Sequence, residues 1–284
     1  MIETDYKVQL LKIKEYYTHC WLKRFEQGHN PVSLAMHMGY FDNGIVNNDE
    51  AKLNLNKYLI TSLAADKYAH LKIADLGCGF GGTCIYLASN LPNAHITGVN
   101  FASDQIAFAE NKVNELGLRE QISFLEEDYA ATSLPSNHFD FAFAIESFCH
   151  ALDKEEFLTE AKRILKPGGM LVILDYRVMY EPQTANDKNL LKIFEEGWAV
   201  LHYIFRPEEM LEKIAFEDAE IKNISSNIQP GIELSNSKAI KILQHLEETD
   251  EIFKKHLNAC VALKELFDKK LIQYFKIKAV KGTL

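Results

Sequence analysis

The segment 73–82, Ile-Ala-Asp-Leu-Gly-Cys-Gly-Phe-Gly-Gly, restricts what this chain can fold into more than any other. The apolar run over 71–76 reads as a buried strand. It breaks into glycines, after which Cys84, Ile85, Leu87, Ala88 and Leu91 recur at helical spacing. Strand, glycine turn and helix in that order form a nucleotide cradle. Glycine adopts the turn's backbone angles and lets a ligand approach the main chain closely.

Two nucleotide classes compete for such a cradle. Gly77, Gly79 and Gly82 satisfy G-x-G-x-x-G, the dinucleotide pattern. A dinucleotide site also wants an acid about 20 residues on, to hold the ribose. The next strand-like run, 95–99, ends in Asn100 instead, which bonds a ribose hydroxyl but weakens the nicotinamide reading. A tight turn with no ligand is the remaining alternative. The local run D-L-G-C-G-x-G-G over 75–82 resembles motif I of the S-adenosylmethionine-dependent methyltransferases.

Composition narrows the partners. Among 284 residues, 47% are hydrophobic, enough for a sizeable core, and the net charge is −9. Phosphate backbones demand basic surface, so no nucleic-acid partner is expected. The C-terminal lysines, Lys269, Lys270, Lys276, Lys278 and Lys281, alternate with apolar residues and read as the wet face of a strand. The first five residues carry two acids and no apolar core, unlike a secretory leader. No apolar run reaches membrane-spanning length. The five cysteines are dispersed without a C-x-x-C pair, as expected of a reducing cytoplasm. No His, Cys, Asp or Glu cluster has metal-ligand spacing. The partners expected are a small-molecule acceptor and, for assembly, a second copy of the chain as a homodimer.

Organisation along the chain is α/β. Residues 3–27 and 49–65 read as helices, with a loop over 36–44. Strands are expected at 71–76, 94–99, 121–125, 138–145 and 169–175, and helices at 82–90, 103–116 and 154–165. Lys166-Pro167-Gly168-Gly169 reads as the turn that launches the fifth strand. Helical spacing resumes over 187–204 and 236–268, a strand falls within 214–225, and 271–280 reads as the last strand. This alternation predicts a doubly wound, mostly parallel seven-stranded sheet, Rossmann-like, with a helical lid. The expected layout is one domain over 1–284: a helical cap (1–65), a cofactor-binding core (66–176), and the rest of the sheet with lid insertions (177–284).

The motifs together identify the chain as similar to the class I S-adenosylmethionine-dependent methyltransferases over roughly 35–225 and the last strand. They are 75–82, the run G-V-N-F-A-S-D-Q over 98–105, Glu127-Asp128-Tyr129, and L-K-P-G-G over 165–169. The G-V-N-x-x-x-x-Q pattern, with A-F-A-I-E-S-F-C-H-A over 142–151, resembles the sterol C-methyltransferases. More loosely it resembles the geranyl diphosphate, tocopherol and cyclopropane-fatty-acid branch. Met36-His37-Met38-Gly39-Tyr40 is close to a pattern shared across small-molecule methyltransferases.

The resemblance implies S-adenosylmethionine as cofactor, S-adenosylhomocysteine as product and a small-molecule acceptor. Gly77 and Gly79 would let the backbone pass under the cofactor. Asp75 would orient its ammonium, Asn100 and Gln105 its ribose hydroxyls, and Asp128 its adenine amine. Tyr129 would flank the adenine, while Tyr17 and His37 would lie against the cofactor from the lid. Glu146, at the carboxyl end of the fourth strand, lies where this fold holds the donor methyl. A carboxylate there would stabilise a carbocation and assist proton loss. His150, four residues on, is the candidate general base for an oxygen or nitrogen acceptor. Tyr176 is expected in the acceptor pocket, with Trp198 and His202 four apart on one helix face.

The expected reaction is therefore methylation of a small apolar acceptor, prenyl, sterol-like or polyketide, at carbon. The alternatives are O- or N-methylation of a small metabolite with His150 or Glu146 as base, an NAD-dependent oxidoreductase, and a non-catalytic cofactor-binding protein.

Overall fold

The computed structural model describes residues 2–26, 30–42, 44–63, 67, 69–201, 206–245 and 250–283. Seven strands form one sheet: β1 (Lys72–Leu76), β2 (His95–Asn100), β3 (Ile122–Glu126), β4 (Phe139–Ile145), β5 (Leu165–Val178), β6 (Phe216–Asn223) and β7 (Ile272–Lys281). Their order is β3-β2-β1-β4-β5-β7-β6. The first five run parallel, while β7 is antiparallel to both β5 and β6. The fold is thus the Rossmann-like, mostly parallel sheet that the alternation predicted.

Central strands of such a sheet are covered on both faces and so lose the apolar–polar alternation of a half-wet strand. In β4, Ala142, Phe143 and Ala144 are consecutive and fully buried. The cover comes from α3 (Asn48–Leu63), α4 (Gly82–Asn90), α5 (Ser103–Glu115), α6 (Lys154–Ile164), α7 (Ala185–Trp198), α8 (Pro207–Lys213), α9 (Ser225–Leu243) and α10 (Glu251–Asp268). Two helices, α1 (Ile2–Tyr17) and α2 (Lys23–Glu26), precede these, joined by a π-helical turn at Thr18–Leu22. A π turn carries extra residues per revolution. It lets Tyr16, Tyr17, Trp21 and Arg24 all reach the same cavity.

Strand order positions the site. From β1 the chain winds outward through β2 to β3, then returns to place β4 on the other side of β1. Connections therefore diverge at the carboxyl ends of β1 and β4. A crevice opens there, where ligands bind in sheets of this kind.

Several local expectations need correction. Lys166-Pro167-Gly168-Gly169 is not a separate turn: β5 is continuous from Leu165, paired with Phe139, and the register slips between Phe139 and Phe141. The bulge absorbs Gly168, whose φ is 76°. The helical spacing over 236–268 divides between α9, which starts eleven residues earlier at Ser225, and α10. The C-terminal lysines do not share a wet face. Lys276 is buried at 7% exposure and paired with Glu220 at 2.7 Å, because β6 and α3 cover that part of β7. The helix expected over 187–204 ends at Trp198, since Ala199 turns into the left-handed region at φ 53°.

Candidate active site

A cavity of about 330 Å³ opens at the carboxyl ends of β1 and β4. Its wall contains Tyr17, His37, Asp75, Gly77, Gly79, Asn100, Gln105, Tyr129, Glu146, His150, Tyr176 and Trp198. Twelve of the fourteen residues singled out in the sequence therefore converge on one space. Asp128 is not in this wall: its Oδ1 accepts from the Ala130 N–H at 2.9 Å. His202 lies outside the described residues.

One lobe is built on β1, β2 and the glycine turn. The Gly77 and Cys78 N–H groups donate to Val99 O at 3.0 and 3.1 Å, folding the turn across the end of β2. Gly77 has φ 119°, and a Cβ there would lie 2.2 Å from the Ser147 Cβ. Only glycine fits, because the loop after β4 is clamped onto the turn by a Ser147 hydroxyl bond to Leu76 O at 2.6 Å. Tyr129 fixes the same loop, its hydroxyl donating to Ser147 O at 2.9 Å.

The polar groups of this lobe are left ready for a ligand. Asp75 is 3% exposed, and burial raises its carboxyl to about 7. Its hydrogen-bond partner is the Cys84 thiol at 3.3 Å, and no cation among the described residues offsets its charge. Asn100 Nδ2 donates to Gln105 Oε1 at 2.6 Å, which holds both amides in place. Gln105 Nε2 is buried without a partner. An orphaned buried donor costs about 1–3 kcal/mol unless something accepts from it. A buried carboxylate awaiting a cation and an amide donor awaiting an oxygen suit a ligand with an ammonium and ribose hydroxyls. The residues present therefore fit S-adenosylmethionine.

The second lobe centres on Glu146. Its backbone is left-handed at φ 48°, a strained state for a non-glycine residue and one that clusters at functional sites. The side chain is gripped at one oxygen: Oε1 accepts from the Met38 N–H at 2.7 Å and the Tyr274 hydroxyl at 3.0 Å. Burial raises the Glu146 carboxyl to about 8, and nearby Asp175 pushes the same way. The Met38 and Tyr274 bonds and the charge of Lys52 oppose the shift. Beside it stand Met38 and Tyr176, and the Tyr176 ring meets that of Trp198 with centroids 6.1 Å apart. The Tyr176 hydroxyl is buried and unpartnered beside Glu146.

The N-terminal helix α1 and the loop after β4 meet at His150. Its Nδ1 lies 3.1 Å from Ala199 O, which accepts only, so Nδ1 carries the hydrogen. Nε2 is left to accept from the Tyr17 hydroxyl at 2.7 Å. Burial lowers the His150 pKa to about 4, so the ring stays neutral. His37 is likewise buried, lowered to about 4, with Nδ1 bonded to Met38 O at 2.8 Å.

Sequence reasoning missed Tyr274, Lys52 and the Met38 N–H. Tyr274 comes from the last strand, antiparallel to β5 and distant in sequence. Lys52 had a legible trace: with Asn56 it forms an i, i+4 polar pair, both buried, among the apolar residues of α3.

Residues 74–173 match the family described as methyltransferase domain. A sterol 24-C-methyltransferase of Neurospora crassa is 28% identical over 177 residues, which cover 61% of this chain and 46% of that protein. One of Gibberella zeae is 35% identical over 116 residues, 41% of this chain and 30% of that protein. The matched part thus spans less than half the length of these curated relatives. Among solved structures, geranyl diphosphate C-methyltransferase from Streptomyces coelicolor A3(2), bound to S-adenosyl-L-homocysteine, superposes with TM-score 0.71 at 16% identity. The match covers 94% of this chain and 98% of that one. The cyclase SpnF superposes with TM-score 0.71 at 21% identity, covering 90% and 92%. These two likenesses speak to fold, whereas the matched model makes residues 74–173 a methyltransferase domain, similar to those of the class I S-adenosylmethionine-dependent methyltransferases.

Proposed function

We propose that this protein methylates a small, largely apolar acceptor at carbon. The observation that carries the reading is Glu146: one buried carboxyl, held at one oxygen, facing an apolar and aromatic lobe from the carboxyl edge of β4. When bound, S-adenosylmethionine supplies an electrophilic methyl group on a sulfonium centre. Asp75, Asn100 and Gln105 orient it. Tyr17 and His150 join the lid to the core and keep water out, which strengthens every charge interaction inside. Holding the acceptor at near-attack distance supplies much of the acceleration.

Carbon methylation of an alkene leaves positive charge on the acceptor. The ionised Glu146 carboxyl stabilises that charge as it develops and takes the departing proton at the oxygen not engaged by Met38 and Tyr274. Aromatic faces of Tyr176 and Trp198 favour the same cation. The sterol and geranyl diphosphate C-methyltransferases among the relatives support an apolar acceptor.

A second reading, O- or N-methylation, draws on the same residue, because a carboxyl poised at about 8 is also a competent general base. His150 suits that role less, since Nε2 is taken up by Tyr17. The nicotinamide alternative has less support: β2 ends in Asn100, and no acid stands there.

The test uses methyl-labelled S-adenosylmethionine with extract of the source cells, comparing wild type and Glu146→Gln. Label in the organic phase that depends on Glu146 supports carbon methylation of an apolar acceptor. Label confined to the aqueous phase, or indifferent to Glu146, overturns it in favour of a polar oxygen or nitrogen acceptor.

A further inference from the structure

Two lysines line the cavity, and only Lys52 has been given a part, through its charge on Glu146. Lys52 on α3 is 4% exposed, and its Nζ donates to Ala35 O at 2.7 Å. Lys238 on α9 lies at the exposed rim of the same wall and forms no ion pair with a described residue. Ser235 and Asn48 stand with them on these two helices. The cavity wall contains only two carboxylates among the described residues, Asp75 and Glu146. Asp75 faces the cofactor lobe, and Glu146 is gripped by Met38 and Tyr274. Asp49, the other acid acting on Lys52, turns away to accept from the Val32 and Ser33 N–H groups at 3.3 and 3.2 Å.

Burying an ammonium is costly unless an anion compensates. Here burial lowers Lys52 to about 8, and the like charge of Lys238 pushes further in the same direction, although Glu146 and Asp49 oppose it. Nζ carries three donors, of which Ala35 O takes one. Two like charges converging on one polar corner of an otherwise apolar space make a receptor for an anion.

We infer that the methyl acceptor carries an anionic end group, a carboxylate or a phosphate, seated between Lys52 and Lys238. The inference deepens the proposed function and rests on it. Anchoring that end at α3 and α9 sets which carbon of the apolar body reaches Glu146, so the lysine pair determines specificity and regiochemistry without touching the reacting atoms.

The test is calorimetric titration of the intact protein saturated with S-adenosylhomocysteine. Three probes share one ten-carbon prenyl body: the alcohol, the carboxylate and the monophosphate. Wild type should bind one anion at least about tenfold more tightly than the alcohol. Lys238→Glu should remove most of that preference while leaving affinity for the alcohol and for S-adenosylhomocysteine unchanged, and Lys52→Met should remove most of it as well. Which anion wins identifies the end group. Equal binding of all three probes, binding of none, or an anion preference that survives both substitutions overturns the inference. Failure of S-adenosylhomocysteine itself to bind would overturn the methyltransferase reading, and this inference with it.

Discussion

The Tyr17 hydroxyl donates to Nε2 of His150 across 2.7 Å, joining the N-terminal helix to the loop after β4 from 133 residues away. Tyr17→Phe leaves the buried His150 nitrogen without a donor, which should cost about 1–2 kcal/mol in urea unfolding. It should also raise the Kd for S-adenosylhomocysteine. Because the partners act as a pair, His150→Ala should cost less in the Tyr17→Phe background than alone. Strictly additive losses would show that the bond does not couple lid and core.

Glu146 should govern the pH profile. Its carboxyl is raised to about 8 in the free protein, so the ionised form required for charge stabilisation is the minor one at neutrality. kcat/KM reports groups of the free enzyme. It should therefore rise with pH and level off above about 8. Glu146→Gln should lower kcat about 100-fold or more and abolish the rising limb. A limb that persists in Glu146→Gln belongs to another group.

Asp75 should make cofactor binding pH-dependent. Burial raises its carboxyl to about 7, and a bound ammonium requires it ionised. Affinity for S-adenosylhomocysteine should strengthen as pH rises from about 6 to 8, and Asp75→Asn should flatten that dependence while weakening binding. Isothermal titration at three pH values checks this. Equal affinity across the range in wild type would place the ammonium elsewhere.

The same shifts set the stability of the ligand-free protein. Asp75, Asp175 and Glu146 have folded pKa values raised to about 7, 6 and 8 from 3.8, 3.8 and 4.5. Their stabilisation is full below the lower values and is lost as pH climbs through the upper ones. His37, His150 and His256 are lowered to about 4, 4 and 3 from 6.5, so theirs is full above 6.5 and is lost as pH falls. Tm should therefore fall from about pH 6.5 to 8 and flatten over that window in Glu146→Gln. A Tm that rises over that range contradicts the burial of these carboxyls.

Two glycines separate packing from backbone strain. Gly77→Ala forces a Cβ to 2.2 Å from Ser147 at φ 119°, whereas Gly117→Ala, at φ 69°, meets nothing within 4 Å. Gly117→Ala should cost about 1 kcal/mol, from the left-handed conformation alone. Gly77→Ala should cost several times more and reduce cofactor binding. Similar losses in chemical denaturation would mean the Ser147 loop yields easily.

The strand order beyond β5, and with it Tyr274, illustrates where local reading stops. Residues 271–280 are legible as a strand, but nothing local says that it inserts antiparallel between β5 and β6 or that Tyr274 reaches Glu146. The C-terminal lysines misled for the same reason: alternation marks a wet face only where nothing covers it, and Glu220 on β6 pairs with Lys276. Trp198 was placed in the cavity wall, yet the helix expected to continue to His202 ends there, because Ala199 takes a left-handed turn that composition does not announce.

By itself the sequence determined the elements whose cause is local: the buried run and glycine turn of 71–82, the period of the flanking helices, and the polar residues at strand ends, Asp75, Asn100 and Glu146. Periodicity and backbone freedom act over a few residues, so they are written in a few residues. Only the tertiary structure decided which groups share a dielectric environment. The Tyr17–His150 bond, the Met38 and Tyr274 grip on Glu146, and the convergence of Lys52 with Lys238 all join residues far apart in the chain. Burial and charge pairing, which set the chemistry of those groups, are properties of the folded surroundings.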